Sequence, residues 1–303
     1  MASVTSDLKL LCIGEAMAEL RRTDQSGFDV SFAGDCFNTA IYASRALPDK
    51  SVGFASVIGH DPLSEGLLGM AQDEGIDTSA LSRHPSRHIG VYAVATDEQG
   101  ERSFYYWRSE SAARCFFDEP AELPQAGIYY LSAISLAILP PHARASLMKA
   151  LQQRQQQGCL IAFDSNYRPQ LWEDRATAQQ LISEMWEIAD IALPSIDDEM
   201  ALYDETEAEV ISRFSRQNYT ACAIKRAEKG PYSPQLAPDQ HPYFPPAEKI
   251  VDTTAAGDSF NAGFFASFLS QQPISASLLA GHHLACRAVG VRGALIPRTE
   301  ITG

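Results

Sequence analysis

The stretch DTTAAGDSFNAGFFASFL (252–269) carries the residue types best suited to chemistry. Small residues at 253–257 precede Asp258, and phenylalanines then recur at every fourth position, which predicts a helix with one apolar face. A small-residue turn at a helix N-terminus leaves backbone N–H groups free at the positive end of the helix dipole, where a phosphate can bind. Asp258 beside that phosphate could accept a proton from an attacking hydroxyl. The local sequence alone equally allows Asp258 to be a plain N-terminal cap.

Other common chemical motifs are missing from the sequence. Neither GxxxxGK[ST] nor GxGxxG occurs, which excludes the two commoner phosphate-binding loops. The six cysteines lie at least 24 residues apart and the seven histidines form no ligand pattern, so a zinc site is not indicated. The cysteines are interpreted as buried thiols in a reducing compartment.

The elements that must position these residues alternate along the chain. Strands are predicted at 8–14, 52–59, 90–96, 102–108, 128–132, 160–164, 189–193 and 220–225. Helices are predicted at 36–47, 62–74, 141–157, 174–188, 207–217, 257–269 and 275–289. Strands that alternate with helices indicate an α/β fold with a mostly parallel central sheet flanked by helices.

Two regions interrupt this alternation. Residues 87–108 contain two strand-like runs separated by the turn sequence DEQG (97–100), which predicts an antiparallel hairpin acting as a lid beside the main sheet. Residues 230–246 hold 6 of the 17 prolines, so this segment is predicted to be an irregular connection across the edge of the sheet.

Composition bounds the partners of the protein. The 303 residues include 24 basic and 38 acidic side chains, a formal net charge of −14, which argues against a nucleic-acid or anionic-membrane binder. The most apolar run, 128–139, has twelve residues, whereas a bilayer-spanning helix needs about 20. The N-terminal sequence does not resemble a secretory signal, and we expect a cytoplasmic protein.

The 252–269 stretch resembles the C-terminal signature of the ribokinase-like (PfkB-type) carbohydrate kinases, usually DTxGAGD. Ala255 stands where most of that family has glycine, which is similar to one branch, the 2-keto-3-deoxygluconate kinases. Segments 12–20, 33–40, 57–77, 102–113, 130–139, 163–172 and 223–230 agree with that branch, in order along nearly the whole chain. The resemblance implies a single Rossmann-like ribokinase domain over 1–303, with lid strands contributed by about 15–33 and 87–110.

The resemblance also implies roles for individual residues. Asp258 matches the catalytic base, and the backbone amides of Ala255, Ala256 and Gly257 match the anion hole for the transferring phosphate. The residues that match substrate-binding positions are Gly34, Asp35, Asn38, Tyr92, Tyr106, Arg108 and Arg168. Taken alone, Asp35 fits a helix N-cap and Arg108 fits an exposed arginine on a strand edge.

Other positions match the nucleotide and metal sites of that family. They are Asn166, Arg168, Lys225, Gly230, Ala255 and Gly257 for the nucleotide. Glu199 matches a position linked to Mg²⁺ through water, and Asp252 matches a position near a monovalent-cation site, K⁺ in some relatives. The implied ligands are therefore ATP, Mg²⁺ and K⁺.

The predicted activity is transfer of the γ-phosphoryl group of ATP to 2-keto-3-deoxygluconate, giving the 6-phosphate. Arg108 is the reason to favour an acid sugar, because a guanidinium can grip a carboxylate at two points. The alternatives are a fructokinase or other sugar kinase of the family, and a non-catalytic sugar-acid binding protein. Alternation places Tyr105 and Trp107 opposite Arg108, on a face suited either to packing against the core or to packing in a homo-oligomer.

The net charge conflicts with two anionic ligands unless positive groups gather locally. We therefore predict that Arg108, Arg168 and Lys225 converge on one cleft, together with the helix N-terminus at 255–258.

Overall fold

Eleven strands and nine α-helices occur in the computed structural model, which describes residues 8–23, 27–96, 102–118 and 122–298. The strands are β1 Leu10–Ile13, β2 Met17–Arg22, β3 Phe28–Ala33, β4 Val52–Ile58, β5 Leu81–Arg83, β6 Gly90–Thr96, β7 Arg102–Trp107, β8 Ile128–Ser132, β9 Leu160–Asp164, β10 Ile191–Ala192 and β11 Ala221–Cys222. The helices are α1 Asp35–Ala46, α2 Pro62–Asp73, α3 Ala133–Ala137, α4 Pro141–Gln156, α5 Arg175–Ile188, α6 Ile196–Tyr203, α7 Glu207–Ser215, α8 Ala256–Leu269 and α9 Ile274–Val289.

Seven of the strands form a parallel sheet in the order β11-β10-β9-β8-β1-β4-β5. Strand β1 is fully buried, and its successive side chains enter two different hydrophobic clusters. Helices α1, α2, α8 and α9 contribute to one cluster, and α3 to α7 contribute to the other. Helices therefore cover both faces of the sheet, and the predicted α/β fold class is confirmed.

A smaller sheet of four strands has the order β3-β2-β6-β7. Strands β6 and β7 pair antiparallel, as the hairpin prediction required, and the predicted turn at 97–100 lies outside the described residues. Strand β2 runs parallel to β6 and antiparallel to β3. This sheet stands at one end of the central sheet, because β1 leads into β2 and β3 leads into α1 within a few residues.

Some predicted elements differ from the observed ones. The strands predicted at 189–193 and 220–225 pair over only two residues each, β10 and β11. Residues 230–246 are irregular as predicted, apart from an antiparallel bridge between Tyr232 and Ile224 and a short 3₁₀ turn at Pro238–Gln240. Helices α3 and α6 and strand β5 were not predicted, because each is too short to show a periodic pattern. Within the described ranges no helix is long and apolar enough to cross a membrane.

Candidate active site

A cleft of about 860 Å³ lies between the carboxyl ends of the central strands and one face of the smaller sheet. The carboxyl ends of parallel strands are where open α/β sheets bind ligands. Twelve of the predicted site residues line it: Gly34, Asp35, Asn38, Tyr92, Tyr106, Arg108, Asn166, Arg168, Lys225, Ala256, Gly257 and Asp258. Arg108, Arg168 and Lys225 thus face the same cleft, as the charge argument required.

Asp258 occupies the first turn of α8, which begins at Ala256 after the N-cap residue Ala255. Its side chain does not cap the helix; Oδ2 accepts a hydrogen bond of 2.8 Å from Nδ2 of Asn38 instead. Burial raises the pKa of Asp258 well above its usual value, and the nearby carboxylate of Asp35 raises it further. A carboxyl with a raised pKa at a helix N-terminus is suited to accepting a proton near neutral pH.

The carboxylate of Asp35 connects three elements of the cleft. Oδ1 accepts from the backbone N–H of Cys36 at 2.8 Å, and Oδ2 accepts from Nδ2 of Asn166 at 2.7 Å and from the hydroxyl of Ser132. Asn166 was predicted to bind the nucleotide, but its side-chain amide lies against Asp35, a predicted substrate residue. These contacts join α1 to the ends of β8 and β9.

Lys225 lies beside the N-terminus of α8. Its ammonium group forms an ion pair with Asp164 at the end of β9 and lies 3.3 Å from Oδ1 of Asn261. Asn261 donates in turn to Asp164 at 2.6 Å. A Cβ atom built on Gly257 would lie 3.8 Å from the Lys225 nitrogen, so the cation is next to the proposed anion hole.

Arg108 lies near the floor of the cleft, where its guanidinium forms an ion pair with Glu15, a residue only 2% exposed. The guanidinium carbon also lies 5.9 Å from the centre of the Tyr106 ring. Burial raises the pKa of Tyr106, whereas Arg108 and Arg168 both lower it, so both cations act on this phenol. Glu15 also accepts from the hydroxyl of Ser111 and was not predicted as a site residue.

Tyr92 extends this wall from the neighbouring strand β6. Its ring centre lies 5.6 Å from that of Tyr106, and its hydroxyl donates to the buried carboxylate of Glu19. Burial and Glu19 together raise the pKa of Tyr92, so its phenol stays protonated and can act as a hydrogen-bond donor.

Glu199 does not line the cleft, and its predicted link to Mg²⁺ through water stays a prediction. It is fully buried, accepts from Nε1 of Trp186 at 3.2 Å and forms an ion pair of 2.9 Å with Arg213. Burial raises the pKa of Glu199 to about 7, and Arg213 opposes that rise. One residue earlier, Asp198 does line the cleft and accepts from Arg168. Because α6 turns about 100° per residue, consecutive side chains on it face different surroundings.

Three further predicted positions also lie outside the lining of the cleft: Ala255, Gly230 and Asp252. Gly230 has φ +73°, and a Cβ atom there would lie 2.7 Å from the ring of Phe244, so this position requires glycine. The carboxylate of Asp252 accepts from Thr254 at 3.1 and 2.6 Å and from the backbone N–H of Gly293 at 2.5 Å. Asp252 therefore links two loops of the protein, and its part in a K⁺ site stays a prediction.

The carboxylates of the cleft decide whether the Mg²⁺ implied by the resemblance could bind there. Among the described residues no group of three or more His, Cys, Asp or Glu side chains is placed to hold a metal ion. Magnesium commonly binds through one or two carboxylates together with substrate phosphates, which suits the carboxylates of Asp197 and Asp198 in the cleft lining, although Asp198 is already paired with Arg168. These residues fit a magnesium ion that arrives with a nucleotide.

Comparison with known proteins decides the family. The sequence pattern of the pfkB family of carbohydrate kinases matches residues 7–301. The chain belongs to this family. The family is consistent with the buried Asp258 at the start of α8 and with the small sheet over the cleft, and the protein is a carbohydrate kinase.

Several members of the family are similar over nearly their whole length. The 2-dehydro-3-deoxygluconokinase of Escherichia coli K12 is 36% identical, covering 96% of this chain and 97% of that protein, and the enzyme of that name from Haemophilus influenzae is 36% identical over 97% of each. The fructokinase of Vibrio alginolyticus is 26% identical over 84% of this chain and 81% of that protein.

Solved structures confirm the ribokinase-like fold. The PfkB protein of Polaromonas sp. JS666 superposes with a TM-score of 0.78 at 25% identity, covering 95% of this chain and 96% of that one. The aminoimidazole riboside kinase of Salmonella enterica, in complex with aminoimidazole riboside and an ATP analogue, has a TM-score of 0.80 at 22% identity, covering 94% and 95%.

Proposed function

We propose that the protein transfers the γ-phosphoryl group of ATP to the 6-hydroxyl of 2-keto-3-deoxygluconate. The observation that carries this substrate is Arg108, a cleft-lining guanidinium beside Tyr106, since a sugar acid brings a carboxylate that a neutral sugar lacks. Similarity supports the same choice, because the matches to 2-dehydro-3-deoxygluconokinases reach 36% identity and a fructokinase match reaches 26%.

In the proposed reaction the sugar hydroxyl oxygen bonds to the γ-phosphorus while the bond from that phosphorus to the bridging oxygen of ADP breaks. Asp258 takes the hydroxyl proton, and ADP leaves with the electron pair of the broken bond. In the proposal, the amides of Ala255 and Gly257 at the N-terminus of α8 and the ammonium group of Lys225 stabilise the charge that develops on the phosphoryl oxygens. The amide of Ala256 donates to the carbonyl of Thr253 at 3.2 Å in this structure, so it would have to exchange that bond for a phosphoryl oxygen. Magnesium bound to the nucleotide would neutralise phosphate charge.

The cleft contains the three predicted cations, but acidic side chains outnumber them. Six acidic side chains line it beside three basic ones, so the side chains alone do not make it positive. The acidic residues are Glu15, Asp35, Asp164, Asp197, Asp198 and Asp258. Ion pairs already join Arg108 to Glu15, Arg168 to Asp198 and Lys225 to Asp164. Anion binding then depends on individual contacts, the α8 N-terminus and the metal.

A substrate panel tests the proposed activity. With ATP and Mg²⁺, we expect kcat/KM for 2-keto-3-deoxygluconate to exceed that for the neutral sugars fructose and ribose by about 100-fold or more, the discrimination typical of a charged contact. ADP release in a coupled assay measures this. Gluconate, which also carries a carboxylate, measures how much the rest of the sugar contributes. A preference for fructose would establish the fructokinase alternative. A protein that binds the sugar acid without releasing ADP would instead be the non-catalytic binder.

The outer face of the small sheet supports a proposal of self-association. Register places Val30, Leu20, Ala93 and Tyr105 in one row across its four strands, on the face opposite the cleft. In the adjoining rows Phe28 is 57% exposed and Trp107 is 61% exposed. A protein with a charge of −14 repels its own copies, so an uncharged row is a favourable place for two copies to meet.

We therefore expect a homodimer in which two such sheets pack face to face. Light scattering after size exclusion should give twice the chain mass for the wild type and the single mass for Trp107→Glu, because a charge in an apolar contact loses the burial energy and must be desolvated. Tyr243→Glu is the matched control, since Tyr243 is 80% exposed and outside this sheet. A monomeric wild type, or a dimer unaffected by Trp107→Glu, would contradict this interface.

A further inference from the structure

The N-terminal turns of α1 and α8 are joined by two side-chain contacts. Asn38 on α1 donates from Nδ2 to Oδ2 of Asp258 at 2.8 Å, and the hydroxyl of Thr39 donates to the backbone carbonyl of Asp258 at 3.2 Å. The three residues are buried, with Asn38 only 4% exposed. One contact therefore holds the main chain of α8, and the other holds the carboxylate itself.

The orientation of the Asn38 amide follows from its second partner. Its Oδ1 accepts from the backbone N–H of Gly34 at 3.4 Å, and a backbone N–H can only donate. The nitrogen of the amide is therefore the atom that faces Asp258. In the described part of the chain, the hydrogen bonds to this carboxylate reach Oδ2, which leaves Oδ1 as the oxygen available to a ligand in the cleft.

We propose that Asn38 is a positioning residue for Asp258: it selects Oδ1 as the oxygen that accepts the substrate proton and holds the carboxylate in its ionised form. This goes beyond the sugar contact that the family resemblance implies for Asn38. It rests on the proposed function, in which Asp258 is the base.

The surroundings of Asp258 explain why such a residue is needed. Burial opposes ionisation most strongly, and Asp35 on α1 and Asp164 at the end of β9 add negative charge. The phenols of Tyr42 and Tyr130 are close enough to be affected by Asp258, and Lys225 supplies the opposing cation. Because an N–H donor stabilises the charged form, the Asn38 contact lowers the pKa of Asp258 against these effects. Removing the contact raises that pKa, and the base then ionises at higher pH.

The pH dependence of kcat/KM for the sugar tests the proposal in Asn38→Leu, which has no side-chain donor, and Asn38→Asp, which replaces the amide with a carboxyl. In both variants we expect the acidic limb of the profile to move about one pH unit or more upward, as loss of a hydrogen bond to a charged group implies. We also expect kcat at pH 7 to fall about 10- to 100-fold, since fewer molecules hold an ionised, aligned base. KM for the sugar should change by less than about threefold, because the sugar still binds and only the proton transfer to Oδ1 of Asp258 is impaired.

Two other outcomes would overturn the proposal. A large rise in KM with an unmoved acidic limb would make Asn38 a sugar contact, as the resemblance implies. Unchanged kcat, KM and pH profile would show that the hydrogen bond from Asn38 to Asp258 does not affect catalysis. Thr39→Val is the comparison variant: it loses the contact with the Asp258 main chain but keeps the carboxylate contact, so the limb should stay in place. If Thr39→Val moves the limb equally, helix packing and not carboxylate positioning explains the shift.

Folding and the proposed base are checked separately. Thermal unfolding establishes that each variant is folded, and Asn38→Ser serves as the donor-shortened variant if Asn38→Leu does not fold. If Asp258→Asn is inactive while the Asn38 variants keep the wild-type limb, only the positioning role fails. If Asp258→Asn retains activity, Asp258 is not the base and the proposed mechanism fails with it.

Discussion

Asp258→Asn is expected to lower kcat by about 10³-fold or more, because general-base catalysis contributes about 10²–10⁴-fold and an amide cannot accept the hydroxyl proton. The substitution preserves shape at a position that is 8% exposed, so KM for the sugar and for ATP should change little. Measurement of ADP release at saturating sugar and ATP, with nucleotide binding followed by calorimetry, separates lost chemistry from lost binding.

A gain in stability should accompany the lost activity of Asp258→Asn. Burial and Asp35 raise the pKa of Asp258 in the folded protein, so above its unfolded pKa the ionised carboxylate makes folding less favourable as pH rises. The uncharged amide removes that penalty, and the unfolding temperature at pH 7 should therefore exceed that of the wild type. An inactive variant with a lower unfolding temperature would indicate damage to α8. Activity above about a tenth of the wild type would remove Asp258 as the base.

The fold was predictable because its buried strands are short apolar runs between amphipathic helices. Strands β8 and β9 agree with the predicted ranges 128–132 and 160–164, since both are almost wholly buried and mostly hydrophobic. Strand β2, with the sequence MAELRR, carries three charged side chains, and it was expected only from the resemblance, which implies lid strands at about 15–33, and not from the residue pattern. Its polar residues belong to a sheet that faces a cleft on one side, so burial does not impose an apolar pattern on it.

The site was predictable where a motif is local and less so where it depends on tertiary contacts. Asp258 and its small-residue turn are adjacent in sequence, and together they indicate both an anion site and a base. Glu15 and Asn261 were missed because their partners, Arg108 and Asp164, are about 90 or more residues away in the chain. A signal for Asn261 was present: it is a polar residue between Phe260 and Ala262 in the mostly apolar part of α8, and it proves to be fully buried.

The direction of the Glu199 side chain depends on how α6 is rotated about its axis. The resemblance links Glu199 to Mg²⁺ through water, and in the structure α6 begins at Ile196 and turns Glu199 toward α5 and α7. Sequence alone does not set the rotation of a short helix about its axis. The packing of Trp186 and Arg213 sets it here, and that packing leaves Asp197 and Asp198 at the cleft.

Arg108 is the residue through which a preference for sugar acids can be tested. Its guanidinium already neutralises the buried Glu15, so removing Arg108 alone would leave an unpaired buried carboxylate and weaken the protein for any substrate. The double variant Glu15→Gln/Arg108→Met avoids this, because it removes both charges and roughly preserves side-chain volume. Glu15→Gln alone measures what the loss of the acidic partner contributes.

In the double variant we expect kcat/KM for 2-keto-3-deoxygluconate to fall about 100-fold or more, mainly through KM, because truncating one side of a buried charged contact weakens binding by roughly that factor. The value for fructose, which has no carboxylate, should change by less than about fivefold. Arg108→Lys should recover only part of the loss, since an ammonium group keeps the charge but not the planar fork. Arg216→Met is the matched surface control, because Arg216 contacts Ser212 at the end of α7 and does not line the cleft. Equal losses for the acid and the neutral sugar would show that Arg108 stabilises the folded cleft through its ion pair with Glu15. The preference for acids would then have to come from Arg168, the other arginine that affects Tyr106.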